Sequence, residues 1–340
     1  MASRRTSSSP SSSSSTVRVA GRLAPRRVLV TGATGFLGRH LVPLLVDRGD
    51  DVVALVRPRA EARWLEELGV RVVRGELLAG DALRAATGVE LVFHVAGRVS
   101  HEPRERERLR EINVGGLRRV LEAAPGGARV VHVSSVAAVG PAPGPESPAT
   151  EAQPFPEWAL RYPYAGTKRE AEAVAFSAAE AGRDVVVACP GFLLGPGDVY
   201  GISTWPVRRY LDGTLRIHEP GGLSHVDARD VAAGLLVLAE RGRSGERTIL
   251  TNREGNLSHE ALFRKVGELT GVRRRMVGLH PRVAALGARV VPWPVKPGEV
   301  RAAAHWWFYD PAKAERELAW SPRPIDETIE ATAGEHLARR

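Results

Sequence analysis

Tyr164 and Lys168 are four residues apart, which puts a phenol and an ammonium on one face if Tyr164-Ala165-Gly166-Thr167-Lys168 is helical. Pro163, immediately before, suits the first position of a helix. A phenol of ordinary pKa about 10 relays protons poorly at neutral pH, and an adjacent ammonium favours its ionised form. The pair therefore suits proton transfer, against the plain alternative of two residues on a helix surface. The spacing alone is common. Here it joins one of four lysines in the chain (Lys168, Lys265, Lys296, Lys313) to one of five tyrosines. A second chemical feature is Ser134-Ser135, hydroxyls that close the apolar run Val130–Val133. The third is Thr31-Gly32-Ala33-Thr34-Gly35-Phe36-Leu37-Gly38, which follows a β-branched run and precedes a helical segment through Val46. Glycine is required where a chain turns sharply, where backbone approaches a pyrophosphate, and where a helix packs closely on a strand. The helix that follows would offer free N–H groups and the positive end of its dipole to phosphates. With the strand before it and the helix after it, the stretch reads as a dinucleotide site.

The elements that must position these groups are legible from hydrophobic pattern. Short apolar runs occur at Val28–Thr31, Val52–Val56, Val70–Arg74, Leu91–Val95, Arg129–Val133 and Val185–Ala188, with a weaker seventh at Ile249–Thr251. They alternate with segments of helical period. Near-continuous apolar runs indicate strands buried on both faces, as in a parallel sheet, and the alternation implies right-handed βαβ crossovers. The expectation is an α/β fold, a doubly wound parallel sheet of Rossmann type, with a smaller C-terminal substrate-binding lobe. Residues 26–195 would form the dinucleotide domain, including the Tyr164–Lys168 helix. Residues 196–340 would form mainly the lobe, with a sheet segment returning near 225–252.

The glycine spacing is G-x-x-G-x-x-G, and at this point the chain resembles the extended branch of the short-chain dehydrogenase/reductase family, whose motif is T-G-x-x-G-x-x-G. Four further stretches resemble family motifs in order. Phe93-His94-Val95-Ala96-Gly97 is similar to the turn after the fourth strand, which lies along the cofactor; His94 reads as a packed ring. Ile112-Asn113-Val114-Gly115-Gly116 resembles N-V-x-G-T, with glycine in place of the threonine. Ser135, followed by Gly140, fits S-S-x-x-x-x-G. Cys189-Pro190-Gly191-Phe192-Leu193-Leu194-Gly195-Pro196-Gly197-Asp198 resembles R-P-x-x-x-x-G-P-G-D, with cysteine replacing arginine. Cys189 itself reads as a buried, inert thiol. His225-Val226-Asp227 and Tyr309-Asp310-Pro311 also fit the branch; Asp310 and Pro311 read as N-cap and N1 of a helix.

The resemblance implies that Tyr164 exchanges the proton, Lys168 tunes it and holds the nicotinamide ribose, Ser135 orients the reacting oxygen, and Asn113 supports the site. It implies cofactor contacts from Gly32, Thr34, Gly35, Phe36, Leu37, Gly38, Arg57, Val95, Ala96, Gly97, Tyr164, Lys168, Pro190 and Leu193. An acid at the end of the second strand would bind both ribose hydroxyls of NAD. Val56 stands there instead, and Arg57 follows with a planar fork that suits a 2′-phosphate, so NADP(H) is favoured over NAD(H). The expected activity is hydride transfer between NADP(H) and a carbonyl or alcohol of a bulky, fairly apolar substrate, in the manner of dihydroflavonol-reductase-like and 3β-hydroxysteroid-dehydrogenase-like members. One alternative is a nucleotide-sugar epimerase or dehydratase that retains its cofactor and clamps a diphosphate with cations such as Arg208, Arg209 and Arg229. Another, of a different class, is a non-catalytic dinucleotide sensor.

Composition narrows the partners. The 340 residues carry a formal charge of +9, but Arg4, Arg5, Arg18 and Arg22 of the first 25 residues supply four of those charges. No aromatic-interleaved basic patch of the kind nucleic acids stack on is visible, so no nucleic-acid partner is expected. A single cysteine excludes an intrachain disulfide framework and a cysteine-rich zinc site, and no metal is expected. No run reaches the roughly 18–20 apolar residues of a spanning helix, Val283–Val295 being short and broken by Arg289, Pro292 and Pro294. Residues 1–25 are rich in serine and arginine and read as a disordered tail, or alternatively an organellar transit peptide on an otherwise cytoplasmic protein. Relatives often dimerise through the helices after Asn113 and Tyr164, so a homodimer is a family expectation.

Overall fold

The apolar runs alternate their side chains between two buried faces, and that alternation explains why they are apolar throughout. On one face lie Leu29, Val53, Val92, Val130, Val185, Val187 and Cys189; on the other lie Val28, Val30, Val52, Ala54, Phe93, Val131, Val186 and Ala188. A computed structural model describes residues 25–84, 88–280, 283 and 297–340. The tail read from residues 1–25 (Pro25 apart) and the apolar stretch Val283–Val295 (Val283 apart) lie outside the described residues.

In chain order the strands are β1 (Arg27–Thr31), β2 (Asp51–Val56), β3 (Arg71–Arg74), β4 (Leu91–His94), β5 (Arg129–Val133), β6 (Val185–Pro190), β7 (Phe192–Leu194), β8 (Ile217–His218), β9 (Gly222–Asp227) and β10 (Arg247–Leu250). β11 (Asn256–Ser258), β12 (Val277–Gly278) and β13 (Trp306–Trp307) follow. The helices up to residue 270 are α1 (Phe36–Arg48), α2 (Arg63–Glu67), α3 (Asp81–Arg84), α4 (Arg106–Arg110), α5 (Gly116–Ala123), α6 (Pro163–Glu180), α7 (Trp205–Leu211), α8 (Ala228–Arg241) and α9 (His259–Thr270).

Seven strands make one parallel sheet in the order β10-β6-β5-β4-β1-β2-β3. The order reverses between β1 and β4, and in open α/β sheets the crevice at such a reversal, beyond the carboxyl ends of the strands, is where ligands bind. Each of the seven expected runs supplies one strand, within one or two residues at the ends. α5 and α6 cover one face, and α1 and α8 the other.

β9 anchors a second, smaller sheet, pairing with β11, β13 and β7. A separate apolar cluster of Leu194, Val207, Tyr210, Leu211, Phe263 and Ile329 holds α7, α9 and the last helix, Ile325–Ala338, together. Between α8 and β11 the chain passes through β10, at the edge of the main sheet. The helix after Asp310 begins one residue later than its sequence suggests, at Ala312, with Pro311 at the cap; Asp310 Oδ1 still accepts from the Ala312 N–H at 3.0 Å. Among the described residues no helix is long and apolar enough to cross a membrane.

Candidate active site

The glycine turn is held by two different requirements. Gly32 has φ +76°, and a Cβ there would lie 2.6 Å from the Ala96 nitrogen and 2.9 Å from the Val95 carbonyl carbon. The first glycine is therefore needed both for its backbone conformation and because it presses on the segment after β4. A Cβ at Gly38 would lie 2.3 Å from the Gly32 oxygen, so the third glycine seats α1 on the turn. Gly35 is different: its Cβ would meet only the Gly32 oxygen, at 3.2 Å, on the side open to the cavity. Gly35 is also the N-cap of α1, no side chain caps that end, and no acid occupies its first turn. Its N–H groups and positive dipole end are left for an anion. Gly32→Ala should cost roughly 1–3 kcal/mol of stability, from the left-handed strain and the backbone clash together. Urea unfolding of the variant checks it, with Gly49→Ala as the control in which strain acts alone, since a Cβ there meets nothing within 4 Å.

α6 starts at Pro163 and places Tyr164 and Lys168 on one side, against the ends of β5 and β6. Ser135 is extended (φ −166°) just past β5, and its Oγ accepts from the Ala137 N–H at 3.2 Å. Burial pushes the Tyr164 phenol up to about 12, with the Ser135 hydroxyl as a hydrogen-bond partner pulling the other way. The lowering expected from the ammonium does not occur here. Lys168 Nζ instead donates to the Val133 carbonyl at 2.9 Å, and burial brings it down to about 8.

Asn113 lies in a π-turn, Glu111–Gly115, wedged between α4 and α5. Such single-turn irregularities are frequent at functional sites. Its Oδ1 accepts from the Arg98 N–H at 2.8 Å, while its Nδ2 donates to the Arg98 carbonyl at 3.1 Å and to Thr167 Oγ1 at 3.3 Å. Asn113 thus ties the segment just beyond Gly97 to α6.

A cavity of about 1270 Å³ runs from the glycine turn over Tyr164 into the small lobe. It exceeds the 300–1,000 Å³ usual for one small ligand. Of the residues expected from sequence, Gly32, Thr34, Gly35, Phe36, Leu37, Arg57, Val95, Ala96, Gly97, Ser135, Tyr164, Lys168, Pro190 and Leu193 line it. Gly38 and Asn113 do not, for the packing reasons just given. Arg208, Arg209 and Arg229 do not line it either, and Arg229 makes a two-pronged pair with Asp227, at 2.9 and 2.6 Å.

Three groups in or beside the cavity were not anticipated. Gly75–Leu78 line it beyond β3, and Glu76 at a strand's carboxyl end was the available signal. His101 sits edge-on to Tyr164 with ring centroids 6.0 Å apart. Glu172, one turn past Lys168, is buried under the site; its i+4 spacing from a lysine was the clue. His94 is a packed ring: its Nδ1 meets Thr31 Oγ1 at 2.8 Å, it stacks on His132, and burial brings it down to about 3. Cys189 is buried and its thiol is pushed up by burial, which leaves it inert.

The sequence matches the NAD dependent epimerase/dehydratase family over residues 28–251. A protein of Synechocystis sp., provisionally named dihydroflavonol 4-reductase, is 32% identical over 318 residues, covering 88% of this chain and 91% of its own. Sterol demethylase protein B of Methylococcus capsulatus is 33% identical over 259 residues, covering 75% and 78%. Among solved structures, gox2253 superposes with a TM-score of 0.81 at 28% identity, over 92% of this chain and 98% of that one.

Proposed function

The chain belongs to the NAD dependent epimerase/dehydratase family, and from that premise we propose that it reduces a carbonyl on a bulky, largely apolar substrate at the expense of NADPH. It is an NAD(P)-dependent enzyme of the extended short-chain dehydrogenase type, with reductases among its relatives. One observation carries the finer reading. Tyr164 and Ser135 share a cavity with the glycine turn, and the small-lobe end of that cavity is lined by groups such as Trp205, Ile217, Leu223, Leu262, Phe263 and Trp307.

The residues fit a dinucleotide. The open side of Gly35, the uncapped end of α1 and the bare Gly97 would hold the pyrophosphate and nicotinamide half, with Lys168 at the ribose. When bound, the nicotinamide supplies the hydride; the protein supplies orientation and the proton. Ser135 would fix the substrate oxygen beside the Tyr164 hydroxyl, which gives up its proton as the carbonyl carbon is reduced.

The lining also argues against a clamped diphosphate. Its cations are Arg57, Arg98, Arg108 and Lys168. Arg98 is paired with Glu105 and Arg108 with Glu111, and Lys168 is engaged at Val133. Of the three arginines that line the cavity, Arg57 is the one without a carboxylate partner among the described residues, its contact being the Tyr200 hydroxyl at 3.5 Å. That leaves its fork for a 2′-phosphate and supports NADP(H). Arg57→Ala should weaken NADPH binding by about tenfold or more, as expected for one lost charge-assisted contact, and leave NADH binding nearly unchanged. Fluorescence titration with both nucleotides checks it; equal losses for both would contradict the assignment.

The test of the activity is a carbonyl and alcohol panel followed by NADPH absorbance, with NADH in parallel. Net NADPH consumption on an apolar ketone is the expected result. Turnover without net cofactor change would place the chain with the epimerases instead.

A further inference from the structure

Behind the catalytic face of α6 lies a buried charge that the proton transfer does not use. Glu172, 1% exposed, is one helical turn beyond Lys168. Its Oε1 accepts from Ser134 Oγ at 2.6 Å and from the Cys189 thiol at 3.1 Å. Its Oε2 is 3.2 Å from Arg247 Nη1, but neither atom completes a hydrogen bond. The arginine is thus an ion-pair partner without an aligned hydrogen bond.

We propose that Glu172 is a positioning residue for Lys168: it is the buried counter-charge that keeps the lysine an ammonium and holds it on the Val133 carbonyl, aimed at Gly97 and the cavity. A carboxylate and an ammonium buried this deeply each cost stability unless opposite charge offsets them, and Arg247 meets the carboxylate at one oxygen only. Lys168, buried one turn away on the same helix, is a cation whose hydrogen-bond partner is a carbonyl and not a carboxylate. The other groups around the lysine cannot do the work. Tyr164, on the same helix, is a protonated phenol held up by burial. From β4 and β5 come His94 and His132, both neutral imidazoles that the ammonium itself disfavours from charging. From β6 comes Cys189, kept a thiol by burial, and from the π-turn Asn113, which is uncharged. Arg247, from β10, is a cation and opposes the lysine's charge. Glu172 is the leading group whose charge favours it, ahead of Cys189, which burial keeps a thiol, and Lys168 stands at about 8 against the pull of burial with that help. Lys168 is therefore close to losing its proton in the physiological range. A modest change in the electrostatics behind it decides whether the ribose meets a cation or a neutral amine.

The inference rests on the reading of Lys168 as the ribose ligand, but its test does not need turnover. The chain has four lysines, so 13Cε-lysine labelling of the full-length protein resolves them, and Lys168→Arg identifies the peak. The Lys168 titration midpoint is expected near 8 in the parent. In Glu172→Gln, which keeps a partner for Ser134 and removes the charge, it should fall by about one pH unit or more, as for loss of a near opposite charge. In Arg247→Gln, which removes the competing cation, it should rise. NADPH affinity, titrated by fluorescence across the same pH range, should lose its alkaline limb at the shifted midpoint in each variant. An unmoved midpoint in Glu172→Gln, or a downward shift in Arg247→Gln, overturns the proposal. If Glu172→Gln does not fold, the sign of the Arg247→Gln shift decides. Shifted midpoints with no NADPH binding in any form would uphold the Glu172–Lys168 coupling and sink the cofactor reading instead.

Discussion

Replacing Tyr164 with Phe is expected to cut NADPH-dependent carbonyl reduction by about 10²–10⁴-fold, the usual worth of a positioned proton donor, with NADPH affinity changed by less than about twofold. The phenylalanine ring keeps the packing against His101 and removes only the hydroxyl beside Ser135. Carbonyl reduction needs a proton where the oxygen develops negative charge, and a phenol pushed up to about 12 is fully protonated at neutral pH. Burial therefore stores Tyr164 in the form that the reductive direction requires. The oxidative direction requires the opposite form, so alcohol oxidation by the parent should climb with pH where reduction does not. Steady-state rates in both directions, with a nucleotide titration of the variant, check the expectation. A Tyr164→Phe enzyme that retains parental turnover would remove the tyrosine from the mechanism. A variant that loses NADPH binding as well would make Tyr164 a cofactor ligand first.

Much of this arrangement was legible in the sequence, because the signals were local. β5 and β6 are continuous apolar runs, so their burial on both faces could be read directly, and the glycine turn announces itself by spacing. What the sequence does not carry is which neighbour a long side chain chooses. Lys168 could be placed four residues from Tyr164, and the phenol's lowering followed from that spacing. In the fold its ammonium reaches the Val133 carbonyl, and burial acts on the phenol unopposed by it. Gly38 and Asn113 fit the motif, but work one layer away from the cavity, through packing and through the Arg98 backbone. The role of Arg57 also depends on distance: in so arginine-rich a chain, what sets it apart is that it lines the cavity without a carboxylate partner among the described residues, unlike Arg98 and Arg108. The small lobe was the least legible part. β7, β9, β11 and β13 are only two to six residues long and pair across large sequence separations, so no periodicity marks them.

The histidines buried in the two sheets lead to the second large expectation: the protein should lose about 4 kcal/mol or more of stability between pH 7.5 and pH 5. His94 and His225 are fully buried and brought down to about 3 from 6.5, chiefly by burial, and His132 is lowered in the same direction. Among the described residues the Nε2 of His94 and both ring nitrogens of His132 and His225 lack a partner, so no carboxylate or carbonyl accepts from these rings. Thr31 Oγ1 lies 3.3 Å from the Ala96 N–H, which it accepts, and so can donate its own proton to His94 Nδ1; that places the ring proton on Nε2 in the neutral form. The unfolded chain takes up these protons as pH falls through about 6.5, and the folded chain does so only near 3. The neutral rings therefore leave stability intact above about 6.5, and it is lost as pH falls below, at about 1.4 kcal/mol per pH unit per histidine. At pH 5 that amounts to about 2 kcal/mol each for His94 and His225, a large share of the 5–15 kcal/mol that holds a typical fold. One group opposes the loss in part: burial raises the Glu219 carboxyl, which therefore favours the fold as pH falls. Asp227 and Glu246 are lowered carboxylates whose contribution disappears only below about pH 4, and Lys168, lowered to about 8, acts above that value. Urea unfolding at the two pH values measures the loss. His225→Phe, which fills the same space beside Phe192 without a titrating ring, should recover about 2 kcal/mol of it. A parent equally stable at pH 5 and 7.5 would mean that these imidazoles find a partner for the second proton inside the fold.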